Sequence, residues 1–521
     1  MKVLLVEPDY RRNSHSSIER AKENSNHIDD ESLWYPPLGL MKLSRFHNER
    51  EDEVQFVYGC VEKRGLFDIA ESWDRVYITT LFTYQWGKII DTINYYKELV
   101  WGDASKIFVG GIMASLLSEE LKKKTGVKVI SGVLNSPEKI GLPGSGNIDR
   151  LPPDYSILDN RLYAINDTYY AYSSRGCINR CSWCGVPRIE RKFVPYINIK
   201  GILEKLRKEY GDKPKLKLMD NNVLASPYLE KIVSDLIQLG YGKNSYTDNE
   251  QHKERVIDFN QGLDASFLTE EKMKILSKLN IKPMRIAFDR IGEKEEYINA
   301  IKIAKRYGIK SFSNYMLYNF VDSPKDLYER LRINIDFNQK WKKGRKSKAN
   351  IYSYPMRYAP IDSTDSPTDI CQENGVGIPQ KLDANKARSY NGVFWTKKFV
   401  RNIEVMKGVA HGSISPTPTL AKRTIGKTYY EFLANLYMPE ELLRNRNVYE
   451  KKVYEHEPER KPGTGDIEKF RSFIYELLNK KGNRFLEFHN VVAINSKKEI
   501  RNYMGKCKDK TIKKWLNFYI K

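Results

Sequence analysis

The chain has 521 residues, 40% of them apolar and 30% charged, and a formal net charge of +22. That length fills two to four domains with a sizeable core, and no apolar run reaches the roughly 18 residues of a membrane-spanning helix, which excludes an ordinary transmembrane protein. The charge excludes little, because it suits nucleic acid or another polyanion and equally a well-solvated basic surface. Six cysteines, three of them clustered, fit a reducing cytoplasm rather than a disulfide scaffold.

The first segment, about 1–150, alternates strand and helix signals. Met1-Lys-Val-Leu-Leu-Val-Glu-Pro8 reads as an opening strand and not as a signal peptide. Residues 11–33 are polar and aperiodic, as in a long loop. Tyr35-Pro-Pro-Leu-Gly39 then opens a helix with prolines at its first turn. Further strands are expected at 54–58, 75–80, 107–111 and 127–130. Ile89, Ile90, Ile93, Tyr96, Leu99 and Val100 share one helical face, and 116–124 is a second helix. This alternation predicts an α/β, Rossmann-like, doubly wound parallel sheet.

A second segment, about 151–365, follows the linker Leu151-Pro-Pro-Asp-Tyr155. Six strand signals appear, at 169–173, 216–219, 256–260, 285–288, 311–317 and 350–354. Each but the last is followed by a helix signal, as over 199–210, 228–239 and 295–307. This repeat predicts a partial (β/α)6 TIM-like barrel with its chemistry at the C-terminal strand ends.

The first of these strands delivers Tyr172-Ser-Ser-Arg-Gly-Cys-Ile-Asn-Arg-Cys-Ser-Trp-Cys-Gly185, in which Cys177, Cys181 and Cys184 form C-x3-C-x2-C. Three thiolates this close can converge on one soft metal centre. A structural zinc site wants four ligands, and no fourth Cys or His lies nearby. A [4Fe–4S] cluster usually takes four cysteines, so three leave one iron open. The stretch resembles the cluster loop of radical S-adenosylmethionine (SAM) enzymes, down to the aromatic Trp183 before the third cysteine. The resemblance covers roughly 165–360. It implies a cluster on the three cysteines, SAM chelated at the open iron, and an electron donor such as flavodoxin or ferredoxin. Reductive cleavage then yields a 5′-deoxyadenosyl radical that abstracts hydrogen from substrate.

The same resemblance assigns candidate cofactor contacts. Asp220 and Asn222, in Asp220-Asn-Asn at the second strand's end, fall where the family holds the SAM amino group, although the common Gly-Gly-Glu form is absent. Gln261, with Asn260 and Asp264, crowds the third strand's end. Asp289 suits the ribose hydroxyls, and Met356 in Tyr354-Pro-Met suits adenine. Turn formers, caps and core are the plain alternatives. Cys371, past the last strand, is a candidate catalytic thiol for returning a hydrogen atom, against a small buried residue. Residues 1–150 resemble the cobalamin-binding domain of one radical SAM branch through the opening strand, Tyr35-Pro-Pro-Leu-Gly39 and Gly110-Gly111. The 261–272 and 315–327 stretches resemble that branch's third and fifth strands. The cobalt-ligand pattern Asp-x-His-x-x-Gly is replaced by Asp9-Tyr-Arg-Arg-Asn-Ser14 and His15 is wrongly spaced, so methyl transfer with cobalamin and chemistry without it both stay open.

The last segment, about 366–521, begins with a Pro-, Asp-, Ser- and Gly-rich linker and continues with helix signals at 399–406, 431–443, 466–478 and 515–520. Residues 441–521 hold 20 Lys+Arg and 11 Asp+Glu, a net +9. A basic run, Lys342, Lys343, Arg345, Lys346 and Lys348, is expected in one loop. Tyr449, Lys451, Lys452, Tyr454, Arg501, Tyr503, Lys514 and Trp515 interleave rings with cations, as in a base-stacking surface or in ordinary helix surface and core. Two functions follow: a radical SAM enzyme acting on a large substrate, or a nucleic-acid- or partner-binding protein with a structural or redox-sensing cluster.

Overall fold

A computed structural model describes residues 1–10, 34–60, 73–248, 252–343, 349–360, 390–451 and 465–520. It is a mixed α/β structure with parallel sheets and many helices. The chain divides into two compact units. The first holds residues 1–282 and the second mainly 283–359 and 391–521, so the division falls inside the segment expected as one barrel. Among the described residues no helix is long and apolar enough to cross a membrane.

The first unit opens with a five-stranded parallel sheet. Its strands are β1 (Lys2–Glu7), β2 (Glu53–Tyr58), β3 (Arg75–Thr80), β4 (Ile107–Gly111) and β5 (Lys128–Val129), in the order β2-β1-β3-β4-β5. Val3, Leu4, Leu5 and Val6 are all buried, as a strand covered on both faces requires. On one face α1 (Leu38–Asn48) packs on Val3, Leu5, Tyr77 and Phe108. On the other, α2 (Trp86–Leu99), α3 (Ile112–Leu116) and α4 (Ser118–Thr125) pack on Leu4, Val6, Ile78 and Val109. Gly111, at φ +103°, has an internal reason to be glycine. A Cβ there would sit 2.3 Å from the Thr80 carbonyl oxygen. Thr80 Oγ1 in turn accepts from Ala114 N at 2.9 Å, fixing the start of α3.

A three-stranded parallel sheet follows in the same unit: β6 (Thr168–Ala171), β7 (Lys215–Leu218) and β8 (Val256–Phe259). Its helices are α5 (Val186–Ile189), α6 (Ile199–Tyr210), α7 (Leu229–Gln238) and α8 (Glu270–Leu276). The second unit has β9 (Met284–Arg285), β10 (Ser311–Tyr318) and β11 (Asn350–Arg357), ordered β11-β10-β9, with α9 (Lys294–Arg306) and α10 (Pro324–Lys343). All six expected strands form, but as two ladders and not one continuous sheet. The break lies between Lys282 and β9: Ile281 still bridges Ile257, with Lys282 N on the Ile257 carbonyl at 2.9 Å, whereas Met284 and Arg285 pair with β10.

The rest of the second unit is helical: α11 (Lys397–Gly408), α12 (Pro418–Ile425), α13 (Tyr429–Tyr437), α14 (Glu440–Lys451), α15 (Asp466–Lys480), α16 (Asn483–Ala493), α17 (Lys497–Lys506) and α18 (Lys510–Ile520). The helix expected over 431–443 is two helices. Pro439 forces Met438 out of helical conformation, to φ −59° and ψ 139°. Trp515 is core and not a stacking surface: its ring lies 5.2 Å from Phe470 and 6.0 Å from Phe473. Tyr449, Lys451, Lys452 and Tyr454 have side chains outside the described residues, as do Arg345, Lys346 and Lys348 of the basic run. The long loop expected at 11–33 also lies outside them.

Lys398 on α11 is 2% exposed, with its ammonium 5.0 Å from the Tyr519 ring centre. Burial lowers its pKa to about 7, against the pull of Glu440. The unfolded chain keeps that ammonium charged to pH 10.5, so folding carries the full penalty below pH 7 and sheds it as pH rises towards 10.5. Lys398→Met should therefore raise the melting temperature. The gain should be largest near pH 6 and shrink by pH 9, as read by circular dichroism melts across that range.

Candidate functional site

The cysteine loop leaves β6 at Tyr172 and is anchored at once. Asp220, just beyond β7 and 3% exposed, receives Ser173 N on both oxygens at 3.1 Å. Its Oδ1 also accepts from Ser173 Oγ at 2.8 Å, Ser174 Oγ at 2.6 Å and Ser174 N. Burial raises its pKa, while these four donors oppose the rise. Asp220 is thus turned onto the cysteine loop, chiefly through its Oδ1.

Arg175 carries the frame further. Its guanidinium stacks 3.9 Å from the Tyr172 ring centre, bonds Asp149 at 3.1 and 2.7 Å, and bonds Glu190 at 2.7 Å. Glu190 Oε2 accepts from Gly176 N at 2.5 Å and from Asn221 Nδ2 at 2.9 Å. Asp149 also receives Lys42 of α1 at 3.0 Å. Burial pushes Asp149 up, but Lys42 and Arg175 outweigh it and hold the carboxyl below the usual range. Gly176 sits at φ +77°, where a Cβ would meet the Lys192 carbonyl oxygen at 2.7 Å. Only glycine lets the loop turn against that backbone.

Beyond this frame stand the cysteines, none in a disulfide and all half-buried. Cys177 Sγ accepts from Asn179 N at 3.4 Å and Asn222 Nδ2 at 3.5 Å, and Cys184 Sγ accepts from Val186 N at 3.5 Å. Such N–H donors suit thiolates better than thiols. A backbone bond from Cys184 N to Cys181 O, at 3.0 Å, closes the turn between the last two. Among the described residues, no three Cys, His, Asp or Glu side chains are gathered as a ligand set. Convergence of three thiolates needs a cation between them and comes with binding.

Asn222 is the residue beside Cys177 with something to offer. It is 2% exposed, and its Oδ1 has no hydrogen-bond partner. Its Nδ2 lies 3.4 Å from Asp264 Oδ2, which also takes Asn179 Nδ2 at 2.7 Å. An orphaned buried acceptor costs about 1–3 kcal/mol unless a donor arrives. Trp183 is half-buried in the loop, and Gln261 is exposed beyond β8. Asn260 is engaged by the Tyr35 hydroxyl at 2.8 Å.

Asp289 and Met356 belong to the second unit. Asp289 Oδ1 accepts from Leu317 N at 3.0 Å, and burial raises its pKa to about 6, against Arg330. Met356 is exposed on β11. Cys371 lies outside the described residues. Sequence reasoning missed Asp149, Glu190 and Lys42. Lys42 left a signal, a lone cation inside the apolar run Leu40-Met-Lys-Leu43, whereas the two carboxylates left none.

No family model matches the chain, and no curated protein matches it. Among solved structures, it is similar to Streptococcus suis SuiB in a crystal structure bound to the precursor peptide SuiA. The identity is 15%, over 46% of this chain and 47% of that one, with a TM-score of 0.28. The match thus spans about half of the SuiB chain, and at that score it carries no argument about fold or function.

The Asp220 clamp makes a stability prediction. Asp220→Ala strips the acceptor from four buried donors and should cost about 3 kcal/mol. Urea unfolding of the metal-free protein measures it, and a cost under about 1 kcal/mol would mean the serines find other partners.

Proposed function

We propose that this chain is a radical SAM enzyme in which Cys177, Cys181 and Cys184 hold a [4Fe–4S] cluster. The observation that carries the reading is the C-x3-C-x2-C loop at the C-terminal end of β6, on a clamped frame, beside the orphaned Asn222 oxygen. The residues fit the group. Backbone and carboxamide N–H donors address Cys177 and Cys184, and the frame leaves those sulfurs free of disulfides. When bound, the cluster and SAM supply reductive cleavage and hydrogen-atom abstraction.

The chain's own residues then have distinct tasks. Asp220 and Arg175 hold the loop. Asn222 offers its Oδ1 to the SAM ammonium, a donor that would satisfy it. Trp183 shields the sulfurs from water. Asp289 and Met356 are retained for ribose and adenine, and Cys371 for hydrogen return. The substrate is a large molecule, and modification of it by methyl transfer is the narrower form of the reading.

Cobalamin fits less well. Asp9, which follows β1, is held by Tyr58 through its carboxylate at 2.6 Å and by Lys88 through its carbonyl at 3.2 Å. Gly111 is occupied by packing on Thr80. The segment that follows Asp9-Tyr10, with His15, lies outside the described residues.

Two outcomes test the proposal. Anaerobic reconstitution with iron and sulfide should give a cluster that cleaves SAM to 5′-deoxyadenosine on reduction with dithionite. Cys181→Ala should lose both the cluster absorbance and the cleavage, and an active, cluster-loaded variant would sink the assignment. Asn222→Ala should load the cluster normally yet weaken SAM binding about tenfold, as read by the SAM-induced change in the cluster's electron paramagnetic resonance spectrum.

A further inference from the structure

The second unit carries a strongly cationic surface that the cluster chemistry does not use. Eight Lys or Arg residues fall between 497 and 514, on α17, α18 and their short connector, against two acids, Glu499 and Asp509. Asp509 is already engaged. It takes Arg484 Nε at 2.6 Å and caps α18 through Thr511 N at 2.8 Å and Ile512 N at 3.0 Å.

Elsewhere in this unit, several cations are matched. Glu440 binds Arg401 and Arg444, Glu476 binds Lys480, and Glu468 binds Arg471. On the hairpin, Lys498, Arg501, Lys506, Lys510 and Lys513 are all exposed, and among the described residues none of them forms an ion pair. Packing fixes where they stand. Ile500 and Met504 of α17, and Ile512, Trp515 and Leu516 of α18, are buried. Lys498 and Arg501 then lie one turn apart on α17, as do Lys510 and Lys513 on α18. Like charges held so close repel and weaken the fold, so the arrangement calls for a polyanion.

The rings select among polyanions. Trp515 and Tyr519 are buried, and Tyr503 donates its hydroxyl to Glu487 at 3.1 Å. No stacking platform for unpaired bases remains among them, which disfavours single strands. Two rigid cationic rows suit a rigid row of phosphates. A double helix carries about one charge per 1.7 Å of its axis, whereas an extended acidic peptide offers at most about one per 3.3 Å. We propose that the α17–α18 hairpin is a docking surface for double-helical nucleic acid, gripped through its phosphates without base reading.

The test is a fluorescence anisotropy titration of the full chain, as purified, with a short labelled DNA duplex over a salt series. Five phosphate contacts predict a slope of log K against log salt of about −4.5. The triple variant K498Q/R501Q/K513Q, at exposed positions that repel one another, should keep or raise its melting temperature. It should bind about tenfold more weakly at low salt and flatten the slope by about 3. A variant with unchanged affinity and slope overturns the proposal, as does a wild type that does not bind. Displacement of the duplex by poly-glutamate or by a single strand as readily as by unlabelled duplex also overturns it. None of these readouts needs iron or SAM, so the enzyme reading stands or falls separately.

Discussion

One buried carboxylate sets the terms for the candidate site. Asp220 lies just beyond β7, the neighbour of the strand that delivers the loop, so pairing of β6 with β7 brings it to the serines it holds. Burial of an ionisable group is unfavourable unless its lone pairs are filled, and here two serines fill them with backbone and hydroxyl donors. Replacement of that carboxylate by an apolar group would remove one of the supports between β6 and Cys177, beside the backbone pairing of Arg175 with Val194 and of Ser173 with Ile197. Arg175 then extends the frame outward to Asp149 and Glu190, and Gly176 permits the turn that this demands.

The frame also explains a division of labour that the sequence left undecided. Asp220, Asn221 and Asn222 are three consecutive polar residues at a strand end, and any of them suits a ligand donor. The structure gives each a different partner: Asp220 takes the serines, Asn221 the Glu190 carboxylate, and Asn222 the Cys177 sulfur. The difference arises from the neighbours, which come from segments 30 or more residues away. Local pattern cannot resolve it.

The cysteine trio itself was legible because metal ligation in a loop is a matter of spacing. The strands were legible for a related reason: a strand covered on two faces is a continuous apolar run, as in Val3–Val6, and a strand covered on one alternates, as in Lys215-Leu-Lys-Leu218. The carboxylates Asp149 and Glu190 were not, because a polar residue in a turn looks the same whether it faces solvent or a guanidinium. Two breaks were written plainly in the sequence and still overlooked. Pro283 stands where one ladder gives way to the next, and Pro439 divides a helix by forcing Met438 into extended conformation. The resemblance to one barrel and the apolar periodicity of 431–443 outweighed them.

The distribution of charge follows from the same accounting of partners. Arg330 is wholly buried and is held by Asp322 at 2.9 Å and by the carbonyls of Phe288 and Asp289. Arg175 has two carboxylates, and Lys42 shares one of them. A buried cation is costly without such partners, and Arg330, Arg175 and Lys42 draw carboxylates inward. A chain with 88 basic and 66 acidic residues that engages acids in this way leaves its surplus on the outside. On α17 and α18 the two acids, Glu499 and Asp509, leave Lys498, Arg501, Lys506, Lys510 and Lys513 without an ion pair among the described residues, whereas along α15 Glu468 holds Arg471 and Glu476 holds Lys480.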